Sequence, residues 1–157
     1  MGLEIERKFF VINNKWINFV KTSVEIKQAY ILTNNESTVR VRIIDNKKAF
    51  LTLKSNSDLI RKEFEYSIPL NDAQDIFNNL CDCSIIKNRY TIPIENNLKW
   101  EIDVYLDKNK PLVIAELELP SENYPITFPD WIGLEITNKS RFKNLNLAKF
   151  PYNVYGE

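Results

Sequence analysis

The N-terminal stretch LEIERK, residues 3–8, alternates charged and apolar side chains. Successive side chains of an extended strand point to opposite faces, so Glu4, Glu6 and Lys8 share one face and the apolar residues occupy the other. The stretch predicts a first strand. Its charged face either meets water or lines a site, and the remaining strands help to decide between these two interpretations.

Length and composition set the first bounds. A chain of 157 residues that is 44% hydrophobic predicts a single domain, 1–157, with one core. Its 21 basic and 21 acidic residues balance, so the overall field that attracts nucleic acid or anionic lipid is missing, and we expect neither partner. No apolar run approaches the roughly 20 residues of a membrane helix, and no signal segment precedes the first strand. We therefore expect a cytoplasmic protein.

The titratable residues restrict the chemistry. The sequence contains no histidine, and its two cysteines, Cys81 and Cys83, are spaced unlike a zinc knuckle or a redox CxxC pair. Zinc sites and histidine-assisted nucleophiles thus lack their usual residues. An enzyme built from this chain would rely on carboxylates, cations and oxygen-bound metals.

Period-two alternation is the main signal for secondary structure. It predicts about eight strands: the N-terminal segment and residues 26–32, 37–44, 48–55, 60–68, 87–94, 98–106 and 112–120. Helices are predicted over 15–21, over 71–80 and from about residue 140 to 150. Asn71 and Gln74 have the spacing of a capping box at the second helix. The predicted fold class is α+β, mainly antiparallel β.

The same alternation places charged side chains of several strands on one face each. The carboxylates are Glu4, Glu6, Glu63, Glu65, Glu101, Asp103, Glu116 and Glu118, and the cations are Lys8, Arg40, Arg42, Lys54, Arg61, Lys87 and Arg89. One interpretation is the solvent face of an open antiparallel sheet. The other is an eight-stranded closed, tunnel-like barrel with a charged interior and a few helices packed outside. Like-charged neighbours need a counter-charge, which favours the barrel.

A charged interior also predicts the kind of ligand. Buried ions are costly unless they are compensated, and here the two sets of charges nearly cancel. A ligand that suits both sets is strongly anionic and is accompanied by hard cations. Polyphosphate with Mg²⁺ or Mn²⁺ fits, because arginine and lysine bind phosphoryl oxygens and carboxylates bind these divalent ions.

Residues 4–8, EIERK, are similar to the ExExK signature of the CYTH superfamily, the triphosphate tunnel metalloenzymes. The resemblance continues in order through VRVRI, LTLK, RKEFEY, KNRY, WEIDVY, AELELP and GLEITNKSRFKNLNLA. It implies an eight-stranded antiparallel tunnel and a metal-dependent hydrolase or cyclase that acts on a triphosphate. The last segment departs from the family, which often has Gly-Asp where this chain has residues 138–140, so Arg141 receives no role.

The resemblance also implies roles for individual residues. The implied metal ligands are Glu4, Glu6, Glu116 and Glu118, and the implied triphosphate clamp is Lys8, Arg40, Arg42, Lys54, Lys87 and Arg89. The residues that either bind a second metal or neutralise neighbouring cations are Glu63, Glu65, Glu101 and Asp103. Arg61 is either a clamp residue or a partner of these carboxylates. We expect Mg²⁺ or Mn²⁺ as cofactor, and Lys8, Arg42, Lys87 and Glu6 as the catalytic group.

The expected substrate is a small-molecule triphosphate. The chain most resembles bacterial inorganic tripolyphosphatases, which implies hydrolysis of tripolyphosphate to pyrophosphate and orthophosphate. The alternatives are a class IV adenylate cyclase, a thiamine or nucleoside triphosphatase and, from another class, a non-catalytic polyphosphate-binding module. A homodimer is a further expectation, since Trp131 and Tyr155 are aromatic residues predicted to be exposed.

Overall fold

The computed structural model describes residues 5–34, 36–55 and 62–156, and its main element is an antiparallel sheet. The strands found there, β1 to β9 in chain order, are Ile5–Val11, Thr22–Thr33, Ser37–Ile44, Lys48–Ser55, Glu63–Ser67, Cys83–Pro93, Lys99–Tyr105, Val113–Leu119 and Ile132–Glu135. Over these described ranges the nine strands form one sheet in the order β5-β4-β3-β2-β6-β7-β8-β1-β9. The α+β, mainly antiparallel fold class is therefore confirmed.

Closure of the sheet into an eight-stranded barrel is not confirmed. Each predicted strand is present, but β5 and β9 are the two ends of the sheet, and no ladder joins them within the described residues. The ninth strand, β9, pairs with the edge of β1 that faces away from β8. That edge is where a closing ladder would have to form, so the sheet is open in its hydrogen bonding.

The short strand β9 was not predicted because it contains a glycine and only four residues. Gly133 lies against β1: a Cβ there would come within 2.5 Å of Cγ2 of Ile12 and 3.1 Å of the carbonyl oxygen of Phe10. A Cβ at position 133 would therefore force the Ile12 side chain to shift and would crowd the backbone of Phe10, so glycine suits this close approach. The residue that breaks the sequence pattern is thus the one that allows this pairing.

One face of the sheet, here called the apolar face, carries two hydrophobic clusters. The first cluster centres on Trp100, Ile102 and Leu117 and is covered by the 3₁₀ helix Lys15–Phe19, which inserts Trp16. The second cluster lies on β2, β3 and β4 and is covered by helix α1, Leu70–Asn79. Helix α1 and the first 3₁₀ helix therefore pack on the side opposite to the predicted charged residues.

Helix α1 begins differently from the prediction. It starts at Leu70 after Pro69, and the N–H of Ala73 donates to the carbonyl oxygen of Pro69 at 3.0 Å. Asn71 and Gln74 consequently lie inside the first helical turns, and no side-chain cap is formed. The capping-box interpretation is wrong because the fixed φ of proline already leads the chain into the helix one residue earlier.

The C-terminal helices, α2 at Asn144–Lys149 and α3 at Tyr152–Tyr155, follow a 3₁₀ turn at Ser140–Phe142. Leu147 and Ala148 of α2 pack with Ile85, Tyr105 and Ile114 in a third cluster. The strand register places those three residues on the face opposite to the apolar face. One end of that face is thus covered by α2, whereas the few helices expected outside are the first 3₁₀ helix and α1 on the apolar face. Across the described residues, no helix is long and apolar enough to cross a membrane.

Of the two aromatic residues expected to be exposed, only one is. Trp131 is 3% exposed and packs edge-to-face on Trp100, with ring centroids 5.5 Å apart. Tyr155 is 62% exposed. Trp131 is therefore part of the core and gives no support to a dimer interface.

We predict that Leu147→Ala lowers the free energy of unfolding by about 2–5 kcal/mol, because it empties a fully buried position between α2 and the sheet. Urea unfolding followed by circular dichroism measures the change. The matched control is Val154→Ala on α3, where the side chain is 65% exposed and the expected change is within about 0.5 kcal/mol. Equal small effects would show that α2 does not form part of the core.

Candidate active site

The strand register brings most of the predicted charged residues to one face, here called the charged face. Its members are Glu6, Lys8, Arg40, Arg42, Lys54, Glu63, Glu65, Lys87, Arg89, Glu101, Asp103, Glu116 and Glu118. Two further predicted residues, Glu4 and Arg61, lie outside the described residues. The charged face runs across eight neighbouring strands, from β5 at one side to β1 at the other.

Asp103, on β7, is the centre of a buried ion-pair network. Lys87 Nζ donates to its Oδ2 at 2.7 Å, and Arg89 donates through Nε to Oδ1 at 2.8 Å and through Nη2 to Oδ2 at 2.9 Å. The side chains of Asp103 and Lys87 are both fully buried. Both carboxylate oxygens are thus occupied by cations from the neighbouring strand β6.

The pKa values in this network follow from burial and pairing. Burial alone would raise the pKa of Asp103, but attraction to Lys87 and hydrogen bonds from Arg89 outweigh it and hold the pKa at about 2. Burial lowers the pKa of Lys87, since attraction to Asp103 only partly offsets it. Burial acts in the same direction on Arg89, yet its hydrogen bonds to Asp103 leave the pKa raised. Asp103 is therefore ionised throughout the neutral range.

A set of three carboxylate side chains lies next to this network: Glu116 and Glu118 on β8, and Glu6 on β1. Glu116 is 7% exposed, and its two oxygens lie 3.5 Å from Arg89 Nη2 and 3.5 Å from Lys8 Nζ. Glu6 and Glu118 are direct partners in the β1–β8 ladder. Burial and the negative charge of Glu116 raise the pKa of Glu6, although Lys8 opposes this. These carboxylates therefore carry more negative charge than their protein neighbours neutralise.

The opposite situation holds on β3 and β4. Arg40 reaches only one carboxylate, Glu63, at a long 3.8 Å, and its Nε is buried without a hydrogen-bond partner in the described part of the chain. Among the described residues, no carboxylate lies within 4.0 Å of Arg42 or Lys54. Burial, together with the charges of Arg40 and Arg89, lowers the pKa of Arg42. Among the described residues, this is a crowded cationic region with only one long carboxylate contact.

Neutral residues that sequence reasoning missed complete the charged face. Gln28 accepts a hydrogen bond from Arg42 Nε at 2.8 Å and donates one to the hydroxyl oxygen of Tyr30 at 2.7 Å. On the other side, Oδ1 of Asn144, the first residue of α2, accepts from the Tyr105 hydroxyl at 2.9 Å. Gln28 could have been found from its place on the same face as Tyr30, but Asn144 is far away in sequence from all these strands.

The donor chemistry of the carboxylates fits a divalent metal. Carboxylate oxygens are the ligands that Mg²⁺ and Mn²⁺ prefer, and a cation would relieve the repulsion that raises the pKa of Glu6. The described residues alone do not form a cluster of three such ligands. The residues that would hold the metal are Glu6, Glu116 and Glu118, with Glu4, which lies outside the described residues.

A comparison with protein families decides the identity of the domain. Residues 2–149 match the model of the CYTH domain. This chain belongs to the CYTH domain family. The match covers every strand and helix α2, so the sequence similarity to this superfamily is confirmed over nearly the whole chain.

Two relatives are similar over all or nearly all of their lengths. An inorganic triphosphatase from Acetivibrio thermocellus is 43% identical over 159 residues, which cover 100% of both chains. An inorganic triphosphatase from Nitrosomonas europaea is 31% identical over 148 residues, which cover 92% of this chain and 96% of the relative.

Solved structures of CYTH-like proteins resemble this fold. The crystal structure of an inorganic triphosphatase superposes with a TM-score of 0.73 at 28% identity, covering 94% of this chain and 95% of the other. A putative adenylyl cyclase from Hippeastrum, described as having a dominant triphosphatase activity, superposes with a TM-score of 0.59 at 16% identity. The superposition covers 76% of this chain and 80% of the Hippeastrum chain. At 16% identity it supports the fold alone.

Arg141, to which the sequence assigned no role, contacts the end of the chain. Its Nε and Nη2 donate to the carbonyl oxygen of Gly156 at 3.2 and 2.7 Å. Gly156 directly follows α3 and has a φ of +70°, in the left-handed region that favours glycine. Arg141 thus ties the turn before α2 to the residue after α3.

We predict that Asp103→Asn costs about 3–5 kcal/mol of folding stability at pH 7, because it leaves the fully buried Lys87 without its counter-charge and removes the best hydrogen-bonded partner of Arg89. Chemical denaturation in the presence of a chelator measures the protein without metal. Glu101→Gln is the control: Glu101 makes one contact with Arg89, at 3.3 Å, and is partly exposed, so its loss should cost less than about 1 kcal/mol. A small effect at Asp103 would contradict its central position in the network.

Proposed function

We propose that this CYTH protein hydrolyses inorganic triphosphate, releasing orthophosphate and pyrophosphate, with a divalent metal as cofactor. The observation that carries the proposal is the cationic region of Arg40, Arg42 and Lys54, which has too few carboxylate partners among the described residues. An anion with several phosphoryl groups supplies the missing charge. The two relatives named inorganic triphosphatase, at 43% and 31% identity, support this substrate.

The cations of the charged face form the triphosphate-binding part of the proposal. Arg40, Arg42 and Lys54 bind phosphoryl oxygens from β3 and β4, and the partly exposed Arg89 and Lys8 extend the clamp across β6 and β1. Lys87, whose side chain is fully buried on Asp103, adds positive charge to the clamp from behind Arg89. Such positioning and charge stabilisation account for most of the rate enhancement in phosphoryl transfer. No nucleophilic side chain is required, since the reaction needs only an aligned water.

The carboxylates of β1 and β8 form the metal-binding part of the proposal. When bound, Mg²⁺ or Mn²⁺ neutralises charge on the phosphoryl oxygens and lowers the pKa of water. Glu6, Glu116 and Glu118 would hold it, with Glu4. Lys8 lies 3.5 Å from both Glu6 and Glu116, so it orients these two carboxylates and limits their repulsion.

The roles left open for Glu63, Glu65 and Asp103 follow from their contacts. Asp103 has both oxygens occupied by Lys87 and Arg89, so we assign it to positioning these cations rather than to binding a metal. Glu65 accepts a hydrogen bond from the Thr52 hydroxyl at 3.3 Å, and Glu63 is the distant partner of Arg40. Both lie on edge strand β5, where they border the cationic region and would complete a tunnel wall made by side chains.

Orthophosphate release from tripolyphosphate is expected only when Mg²⁺ or Mn²⁺ is added. Ca²⁺, which is larger and prefers looser coordination, should support less activity or inhibit. A colorimetric phosphate assay on protein treated with chelator, before and after addition of each ion, measures the effect. Full activity in excess chelator would contradict the metal requirement.

Arg42→Ala should reduce turnover of tripolyphosphate to background, because it removes a half-buried cation from the region of β3 and β4 that has too few carboxylate partners among the described residues. The control is Lys108→Ala, an exposed lysine in the 3₁₀ turn Asp107–Asn109, which should stay within about twofold of the parent. The same assay under saturating metal compares the two variants. Similar losses in both would mean that the charged face has been misidentified.

A further inference from the structure

Gln28 is a buried polar residue that the proposed reaction does not yet use. It lies on β2 with no exposed surface, directly opposite Arg42 in the β2–β3 ladder. Its amide is paired at both ends: Oε1 accepts from Arg42 Nε at 2.8 Å, and Nε2 donates to the Tyr30 hydroxyl oxygen at 2.7 Å. A buried amide with both ends paired is held firmly, since breaking either bond leaves an unsatisfied polar group.

The orientation of this amide is dictated by Arg42. The Arg42 guanidinium can only donate hydrogen bonds, so the amide must turn its oxygen towards Nε. The amide nitrogen then faces Tyr30, whose hydroxyl oxygen must accept. The opposite orientation would bring two donors together at Arg42. The chain of contacts from Arg42 through Gln28 to Tyr30 thus has one stable arrangement.

The partner of Arg42 is neutral, whereas the partners of Arg89 are charged. Arg89 is held by Asp103, with Glu101 and Glu116 nearby, and these carboxylates cancel much of its charge. Gln28 accepts a hydrogen bond from Arg42 without cancelling any charge. It also engages only Nε, which leaves both terminal amino groups of the guanidinium to bind an anion in the forked geometry that suits phosphoryl oxygens.

We infer that Gln28 is a positioning residue for triphosphate binding, which fixes the guanidinium of Arg42 through a neutral hydrogen bond and thereby keeps its orientation and its full positive charge available to phosphoryl oxygens. This inference rests on the proposed function, because it assigns Gln28 to the same substrate. It requires an amide at position 28, since neither an apolar residue nor a carboxylate provides a neutral acceptor.

The first test measures binding without turnover. Titration calorimetry with tripolyphosphate in excess chelator, below the melting temperature of every variant, gives the dissociation constant for the cationic region. Gln28→Met keeps the length of the side chain but loses the acceptor, and we expect binding to weaken at least about tenfold. The control is Gln74→Met, the same substitution at an exposed position of α1, which should bind like the parent. Parent-like binding by Gln28→Met overturns the inference.

The second test asks whether Gln28 acts through Arg42. In an Arg42→Lys background the side chain ends in an ammonium, which has neither the Nε–H that Gln28 holds nor the paired terminal amino groups that bind an anion in a fixed orientation. Gln28→Met should then change the dissociation constant by less than about twofold. A purely structural role predicts the same loss in both backgrounds, and that outcome would also overturn the inference.

The third variant, Gln28→Glu, addresses charge and remains informative even if Gln28→Met does not fold. It keeps an acceptor for Arg42 but adds a negative charge beside the phosphoryl site, so binding should weaken about tenfold. Parent-like binding would show that charge at position 28 is irrelevant.

The outcomes separate this inference from the proposed function. A parent that hydrolyses tripolyphosphate, together with Gln28 variants that bind normally, rejects only the role of Gln28. A parent that binds tripolyphosphate but does not hydrolyse it with any metal rejects the proposed function, and the binding tests still decide on Gln28. A parent that does neither rejects both.

Discussion

The charged face depends on one buried carboxylate. Asp103 holds Lys87 and Arg89 together at distances of 2.7 to 2.9 Å, and neither Asp103 nor Lys87 has any exposed surface. An isolated buried ion costs several kcal/mol, so the fully buried Lys87 could not remain charged on β6 without it. The pair of cations is thereby fixed before any substrate arrives, which is the condition for electrostatic preorganisation.

The rest of the face is organised by how each cation is held. On β6, Arg89 is surrounded by carboxylates of β7 and β8, which neutralise much of its positive charge. On β3, Arg42 has a neutral amide as its hydrogen-bond partner. The face is therefore polarised: its net positive part lies on β3 and β4, and its net negative part lies on β8 and β1. A triphosphate requires positive side chains and its metal requires negative ones. The two parts of the charged face provide these opposite charges.

The sequence predicted the strands well because alternation is a local property. Each strand from β1 to β8 was found, and strand parity placed residues such as Arg42 and Asp103 on one face, since side chains alternate strictly along an extended chain. Strand β9 was missed because its pairing depends on the close approach of Gly133 to β1. The closed barrel was expected from the charge pattern, the number of strands and the family resemblance, and none of these determines which strand edges pair.

The neutral parts of the site were harder to predict for the same reason. Asn144 reaches Tyr105 only because α2 folds back over the charged face, a long-range contact with no periodic signal. Trp131 was expected at the surface, yet the loop before β9 carries it onto Trp100. Charged residues indicate a functional site because they are seldom buried. Amides such as Gln28 are common in strands, so their role becomes evident only when their hydrogen-bond partners are known.

The unpaired cations make stability and binding two aspects of one property. Arg40 keeps a buried Nε without a partner in the described residues, and burial together with the charges of Arg40 and Arg89 lowers the pKa of Arg42. An anion that supplies acceptors and negative charge would relieve both costs. A ligand that binds only the native state adds about 2.7 kcal/mol of stability at a hundred times its dissociation constant. Replacing these cations by neutral residues would therefore stabilise the free protein and weaken its complex with triphosphate. The electrostatic repulsion among the cations of β3 is thus part of the free energy that favours triphosphate binding.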